Sequence, residues 1–297
     1  MKKAFLQLHI AVFLAGFTGI LGRLITLNEG MIVWYRLLLT AATMWILFGL
    51  MKKLKRISFT DILKISGVGF IAAMHWVTFY GAIKYANVSV ALVCFASIGF
   101  FTALFEPLIL RKRINKVELL LGLITLSGIY IIFHFDTQYK TGIIIGIISA
   151  LLACLFPIFN REFLKRINVE TMLTWQQTGG LVTLSILLPF YLQRFPTDSF
   201  LPGWKNFGWL LVLSWACSVI AFQLSGNALK RLSAFTVNLT YNLEPVYGII
   251  LAFVVYKENQ FLSKWFFVGF GIIAVALIIH IIILVKEEKK IITDGHE

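Results

Sequence analysis

Charge is scarce in this chain. Asp, Glu, Lys and Arg supply 14% of its 297 residues, against about 25% in a soluble domain. Hydrophobic residues make up 59% and mean hydropathy is +0.86, so a water-soluble globular fold and a disordered chain are both excluded. Cysteine is limited to Cys94, Cys154 and Cys217. Each sits inside an apolar run and none has metal-ligand spacing, which argues against a disulfide framework or a zinc site and leaves small packing residues. Acidic residues are outnumbered, 14 to 27 Lys and Arg, for a formal net charge of +13. The cations lie in short clusters between apolar runs, too short for a face that tracks phosphates, so no nucleic-acid partner is expected. Catalytic templates are missing as well. There is no HExxH, no G-x-S-x-G and no phosphate-binding loop, and Phe95-Ala96-Ser97-Ile98-Gly99 lacks the first glycine of a nucleophile elbow. Neither an enzyme nor a cofactor is expected.

What is abundant is long apolar sequence. A spanning helix needs about 20 mostly apolar residues, and ten segments qualify, near 5–25, 31–51, 61–83, 88–110, 117–134, 142–160, 172–192, 207–229, 234–256 and 263–285. Backbone polar groups at bilayer depth must pair within their own segment, so these are helices and the fold class is an all-α membrane protein. Met1-Lys2-Lys3 before the first span imitates a signal peptide, but no clean cleavage site follows, and the segment reads as a retained span. The longest connector, Gln193 to Asn206, holds Pro196 and Pro202. No soluble ATPase domain fits in what remains, so a concentrative step would draw on a proton, an ion or a counter-substrate.

With the N-terminus cytoplasmic, 19 of the 27 Lys and Arg fall on cytoplasmic segments, including Lys52-Lys53-Leu54-Lys55-Arg56 and Arg111-Lys112-Arg113. The other eight lie on the far side or in the outer ends of spans. That bias orients the chain with both termini inside, in a cell (inner) membrane.

The chain also repeats itself. Shifted by 146 residues, Ala82-Ile83-Lys84-Tyr85 falls on Ala228-Leu229-Lys230-Arg231, and Lys112 falls on Glu258. Shifted by 141, Met31 falls on Met172 and Trp34 on Trp175; shifted by 138, Arg23 falls on Arg161. Each half, 1–137 and 138–297, then holds five spans. Five is odd, so the second half enters the membrane inverted relative to the first. Inverted repeats with a site near the midplane typify secondary transporters.

Three stretches carry a family resemblance: Ala228-Leu229-Lys230-Arg231-Leu232-Ser233-Ala234, Leu243-Glu244-Pro245-Val246-Tyr247, and Lys257-Glu258. Together with Ala82-Ile83-Lys84-Tyr85 and the Trp34-Tyr35-Arg36 opening of the second span, they resemble the EamA-type permeases of the drug/metabolite transporter superfamily over essentially the whole chain. The first half departs from the pattern: Gly99 stands at the proline position and Lys112 at the acidic one. The resemblance implies ten helices in two inverted five-helix repeats, a central cavity, and movement of small metabolites, often export of amino acids or related compounds.

Ionisable groups at bilayer depth cost about 2.5–3.5 kcal/mol each on insertion scales. Glu244, directly before Pro245 and near Asn238, Tyr241 and Asn242, reads as a polar niche for an ammonium or coupling proton, or as a structural carboxyl paired with a cation such as Arg36. Arg36 suits a carboxylate, or else snorkels outward beside Trp34 and Tyr35. His75, Trp76, Phe79 and Tyr80 form a stripe that walls a cavity or packs a core. Trp175 and Gln177 replace Trp34 and Arg36 in the second half, and Gln223 with Asn227 lies one turn apart in the eighth span. These amides either touch substrate or tie helices together. Glu106 is expected to pair with the nearby Arg111-Lys112-Arg113.

The reading that follows is a multi-pass secondary transporter that moves a small molecule through lipid by alternating access. Its alternatives are an intramembrane enzyme acting on a lipid-linked substrate, and a channel or scaffold. Cysteines introduced at positions 56 and 113 should both react with an impermeant thiol reagent from the cytoplasmic face alone; reaction from opposite faces would break the topology.

Overall fold

A computed structural model describes residues 2–111, 113–197, 200–229, 240–241 and 243–294, with side chains as far as Ile283. The described residues hold helices and no strands. Among the described residues are the α-helices α1 Lys2–Leu24, α2 Glu29–Leu50, α3 Phe59–Tyr85, α4 Val88–Phe95, α5 Ile98–Leu110, α6 Lys116–Phe135, α7 Lys140–Leu164, α8 Val169–Arg194, α9 Trp204–Ser214, α10 Ala221–Leu229, α11 Glu244–Tyr256 and α12 Lys264–Asp294. A π-helical stretch, Trp215–Ile220, joins α9 to α10 without a turn.

Among the described residues, eight helical segments are long and apolar enough to cross a membrane: α1, α2, α3, α4 with α5, α6, Thr137–Leu164, Trp204–Ala228 and Lys264–Ile283. The expected seventh span is the helix α8, which carries Glu170, Gln176, Gln177 and Arg194 and so falls short in hydropathy. Of the expected ninth, residues 230–239 and Asn242 lie outside the described residues.

The helix starts follow from their caps. Asn28, Ser58, Asn87 and Asn115 each accept a backbone N–H of the first turn of α2, α3, α4 and α6, which satisfies donors that the helix itself cannot. The ends of α5 and α11 are alike: Arg111 (φ 53°) and Lys257 (φ 54°) are both left-handed, and each closes its helix with an N–H to a carbonyl four residues back.

Helix packing turns on glycine. A Cβ at Gly69 of α3 would stand 2.0 Å from the Gln176 carbonyl oxygen of α8, so these backbones touch. Gly128 of α6 and Gly269 of α12, 141 residues apart, face one another reciprocally: a Cβ on either would lie 2.6 Å or less from the other's carbonyl. Between bilayer helices, where no hydrophobic effect drives association, such close approach supplies the dispersion contact.

Several packed helices run antiparallel. Asn28 at the start of α2 donates to the Phe195 carbonyl beyond the end of α8 (3.2 Å), while Asn168 before α8 donates to the Lys53 carbonyl beyond α2 (2.8 Å). Ser263 before α12 donates to Asp136 at the end of α6 (2.8 Å), where Phe135 stacks on Trp265 at 4.0 Å. The bundle thus has an Arg23 end, with the α1–α2 and α3–α4 turns, and an Arg166 end, where Arg166 grips Asp61 through two bonds of 2.6 Å. Replacing Gly69 with Ala should destabilise the folded protein by about 1–3 kcal/mol, read as a lower Tm in detergent; Gly49→Ala, with open space around it, should leave Tm unchanged.

Candidate functional site

Arg36 sits two turns into α2, about 12 Å along the axis from Asn28. It is 3% exposed, so it does not snorkel. Its Nε donates to the Ser218 hydroxyl (3.0 Å) and its Nη1 to the Tyr80 hydroxyl (2.9 Å), while the guanidinium lies 4.2 Å from the centre of the Trp76 ring. Ser214 donates to the Arg36 carbonyl oxygen at 3.4 Å. Local periodicity explains the convergence. Trp76 and Tyr80 are one turn apart on α3 and share a face. Ser214 immediately precedes the π-helical stretch and Ser218 lies within it, where the wider winding lets Ser218 also donate to the Leu213 carbonyl five residues back (3.3 Å).

The chemistry of this buried cluster is that of a cation without an anion. Among the described residues no carboxylate stands within 4 Å of the guanidinium. Its partners are two hydroxyl oxygens and a ring face, which satisfy hydrogen bonds without cancelling charge. Burying such a charge unpaired is costly. Nη2 has no hydrogen-bond partner among the described residues. One turn further along α2, Thr40 is 1% exposed and its hydroxyl is likewise without one. Glu244 feels the Arg36 charge electrostatically but forms no direct pair with it.

Glu244 is the first residue of α11, with Pro245 in the first turn, where its missing N–H costs nothing. The chain is therefore broken here rather than bent: Leu243 bonds back to Thr240 in a turn before α11 begins. Gly16 of α1 packs on this break, its would-be Cβ 2.9 Å from the Glu244 carbonyl oxygen. Tyr241 packs on Ala4, Leu8, Val12 and Ala228. Asn238 lies outside the described residues.

The α3 stripe divides between two neighbours. Trp76 and Tyr80 meet Arg36, whereas His75 turns to α7, its Nδ1 2.9 Å from the Ser149 hydroxyl and 3.0 Å from the Ser149 carbonyl oxygen. Its ring lies among Phe79, Phe95 and Phe156, with centroids 5.5–6.0 Å away. In the second half, Trp175 packs edge-on against Trp45 at 5.2 Å, far along α2 from Arg36. Gln177 is buried beside Gln176, which accepts from Asn160 (3.1 Å). Gln223 donates to Asn227 within α10 (3.3 Å). Glu106 pairs with Arg161 of α7 at 3.2 Å; of the cations expected to hold it, Lys112 lies outside the described residues.

Sequence reasoning missed Ser214, Ser218 and Thr40. The signal was present: two serines four residues apart in an apolar span are a polar stripe on one helix face. Two surface cavities lie at the Arg23 end, and neither is lined by Arg36, Trp76, Tyr80 or Ser218. One of about 320 Å³ is lined by Thr26, Asn28, Glu29, Lys84 and Tyr85 among others, and its neighbour of about 400 Å³ by Arg23, Thr26, Lys84 and Asn87 among others. No group of three His, Cys, Asp or Glu suited to a metal occurs among the described residues.

Comparison with known proteins agrees with this architecture. An uncharacterized transporter of Haemophilus influenzae is 22% identical over 242 residues, covering 77% of this chain and 75% of that protein. A solved crystal structure of a protein superposes with a TM-score of 0.62 at 14% identity, covering 92% of this chain and 95% of that one; at that identity the likeness concerns the fold. The profile of the EamA-like transporter family matches twice, at residues 2–134 and 140–280. With most of its length matched in two copies, and with helices of membrane-spanning length, the chain belongs to the EamA-like transporter family and is a multi-pass membrane protein.

Proposed function

We propose that this transporter works by alternating access in the cell (inner) membrane, as ten spans forming two inverted five-helix repeats, 1–137 and 138–297, with both termini cytoplasmic. The antiparallel packing of α2 on α8 and of α6 on α12 supports the inversion, since each pair occupies corresponding places in the two repeats. So do the matching left-handed caps at Arg111 and Lys257, which stand at the 146-residue interval.

The cargo is a small metabolite, an amino acid or a related compound, and the direction is outward. The observation that carries this reading is the buried Arg36 with no carboxylate against it. A guanidinium held by neutral groups, with one edge unused, is prepared for an anionic group brought by the cargo. Arg36 takes the carboxylate. Glu244, with Tyr241 and its neighbour in sequence Asn238, takes the amine. Trp76, Tyr80 and His75 wall the side-chain compartment, and Trp175, Gln177 and Gln223 contribute from the second repeat. A proton or a counter-substrate supplies the driving force.

Purified protein in liposomes should accelerate the flux of at least one member of an amino-acid panel, saturably and with stimulation by counter-substrate. A folded protein that moves none of them contradicts the reading. Arg36→Lys keeps the charge but cannot serve Ser218 and Tyr80 together, and should lower flux by about tenfold or more with Tm preserved. Glu244→Gln should likewise cut flux without loss of expression; flux equal to the parent at every pH would remove Glu244 from the mechanism.

A further inference from the structure

The Arg23 end holds a dense charged cluster that the site around Arg36 does not use. Glu258, 3% exposed, follows the left-handed Lys257. Its Oε1 accepts from Arg23 Nη1 (2.5 Å) and from the Val88 N–H (3.2 Å). Its Oε2 accepts from the Ser89 N–H (2.8 Å) and the Ser89 hydroxyl (2.6 Å). The Arg23 guanidinium lies 4.3 Å from the centre of the Tyr256 ring, and the Tyr256 hydroxyl donates to the Ile20 carbonyl oxygen (2.8 Å). One carboxylate thus joins the end of α1, the start of α4 and the turn between α11 and α12. The first two belong to one family repeat and the third to the other.

The corresponding place at the other end is built differently. Arg161, which answers to Arg23, pairs with Glu106 at 3.2 Å in a bridge whose side chains are 57% and 30% exposed, against 44% and 3% for Arg23 and Glu258. The residue that answers to Glu258 is Lys112, a cation. A buried carboxylate with four donors is a stronger tie than an exposed pair. The two ends therefore differ in how deeply the carboxylate of the corresponding ion pair is buried, although the helices around them correspond.

We propose that Glu258 and Arg23 are gating residues: their clasp holds the Arg23 end shut and must open once in each transport cycle, which biases the resting protein toward access from the Arg166 end. This rests on the alternating-access reading above, with the Arg23 end outermost. The bias suits an exporter, because the empty protein then waits open toward the compartment from which cargo is taken. Neither residue touches cargo; both act by setting the balance between two conformations.

Cys217 provides the test. It is buried on the π-helical stretch, next in sequence to Ser218, which accepts from Arg36. In a background with Cys94→Ser and Cys154→Ser, its modification by an impermeant thiol reagent is measured in membrane vesicles of both orientations. Arg23→Gln, which leaves the Glu258 cap on α4 in place, should raise the rate from the outer face by about three- to tenfold and lower it from the inner face. Glu258→Gln should act in the same direction, and Arg23→Lys should return the rate toward the parent. Equal rises from both faces would show a merely structural role. That result, an unchanged rate, or a rise confined to the inner face overturns the proposal. The labelling needs no cargo, so an absence of flux alongside the expected labelling would refute the cargo assignment and leave the clasp standing.

Discussion

Hydrocarbon offers no hydrogen-bond partners, and this protein is organised around that constraint. Helices close their own backbone ladders, and at their starts Asn28, Ser58, Asn87 and Asn115 supply acceptors from side chains. Hydroxyls inside the bundle return bonds to their own helix: Thr43 to Leu39, Thr174 to Glu170 and Thr178 to Thr174, for example. Tryptophans on the outer surface do the same between helices. Trp34 donates to Ser185, Trp45 to Thr178 and Trp215 to Thr43, so that α2 is tied to α8 and to the π-helical stretch.

Against that background of satisfied groups, the exceptions carry the meaning. Glu258 and Arg36 are both buried ions, yet they are treated in opposite ways. The carboxylate of Glu258 has a cation and three further donors, and its charge is spent inside the fold. The guanidinium of Arg36 has hydroxyls and a ring but no anion at contact distance. One charge finishes a structural junction and the other leaves a junction unfinished. Arg23, which holds Glu258, ends α1, whereas Arg36 lies two turns into α2, so the tied end and the site are separate.

Glycine sets how closely these parts can approach. The Gly69–Gly180 crossing brings α3 against α8, and Gly16 and Gly248 bring α1 against α11. The first contact delivers Trp76 and Tyr80 toward Arg36, and the second places the Glu244 break beside α1. Small residues at these crossings let backbones touch, and that contact fixes where the larger polar side chains point. His75 shows the consequence, since one position away from Trp76 it is directed to Ser149 of α7 instead of the Arg36 cluster.

Much of the fold was legible in the sequence because its signals are local. Apolar length placed the first eight helical spans within a few residues, while the last helix runs on to Asp294 and much of the expected ninth span lies outside the described residues; the 141- and 146-residue intervals match the caps at Arg111 and Lys257 and the facing Gly128 and Gly269. Arg36 and Glu244 stood out because charge at bilayer depth is rare. Tertiary structure alone decided which groups meet. Ser218 lies 182 positions from Arg36, and Glu258 lies 235 from Arg23. No periodicity reports such pairings, because they depend on how helices cross and on the extra winding of the π-helical stretch. The physical reason is range: hydropathy and capping act over a turn or a span, whereas the compensation of a buried charge is settled between helices brought together only when the bundle packs.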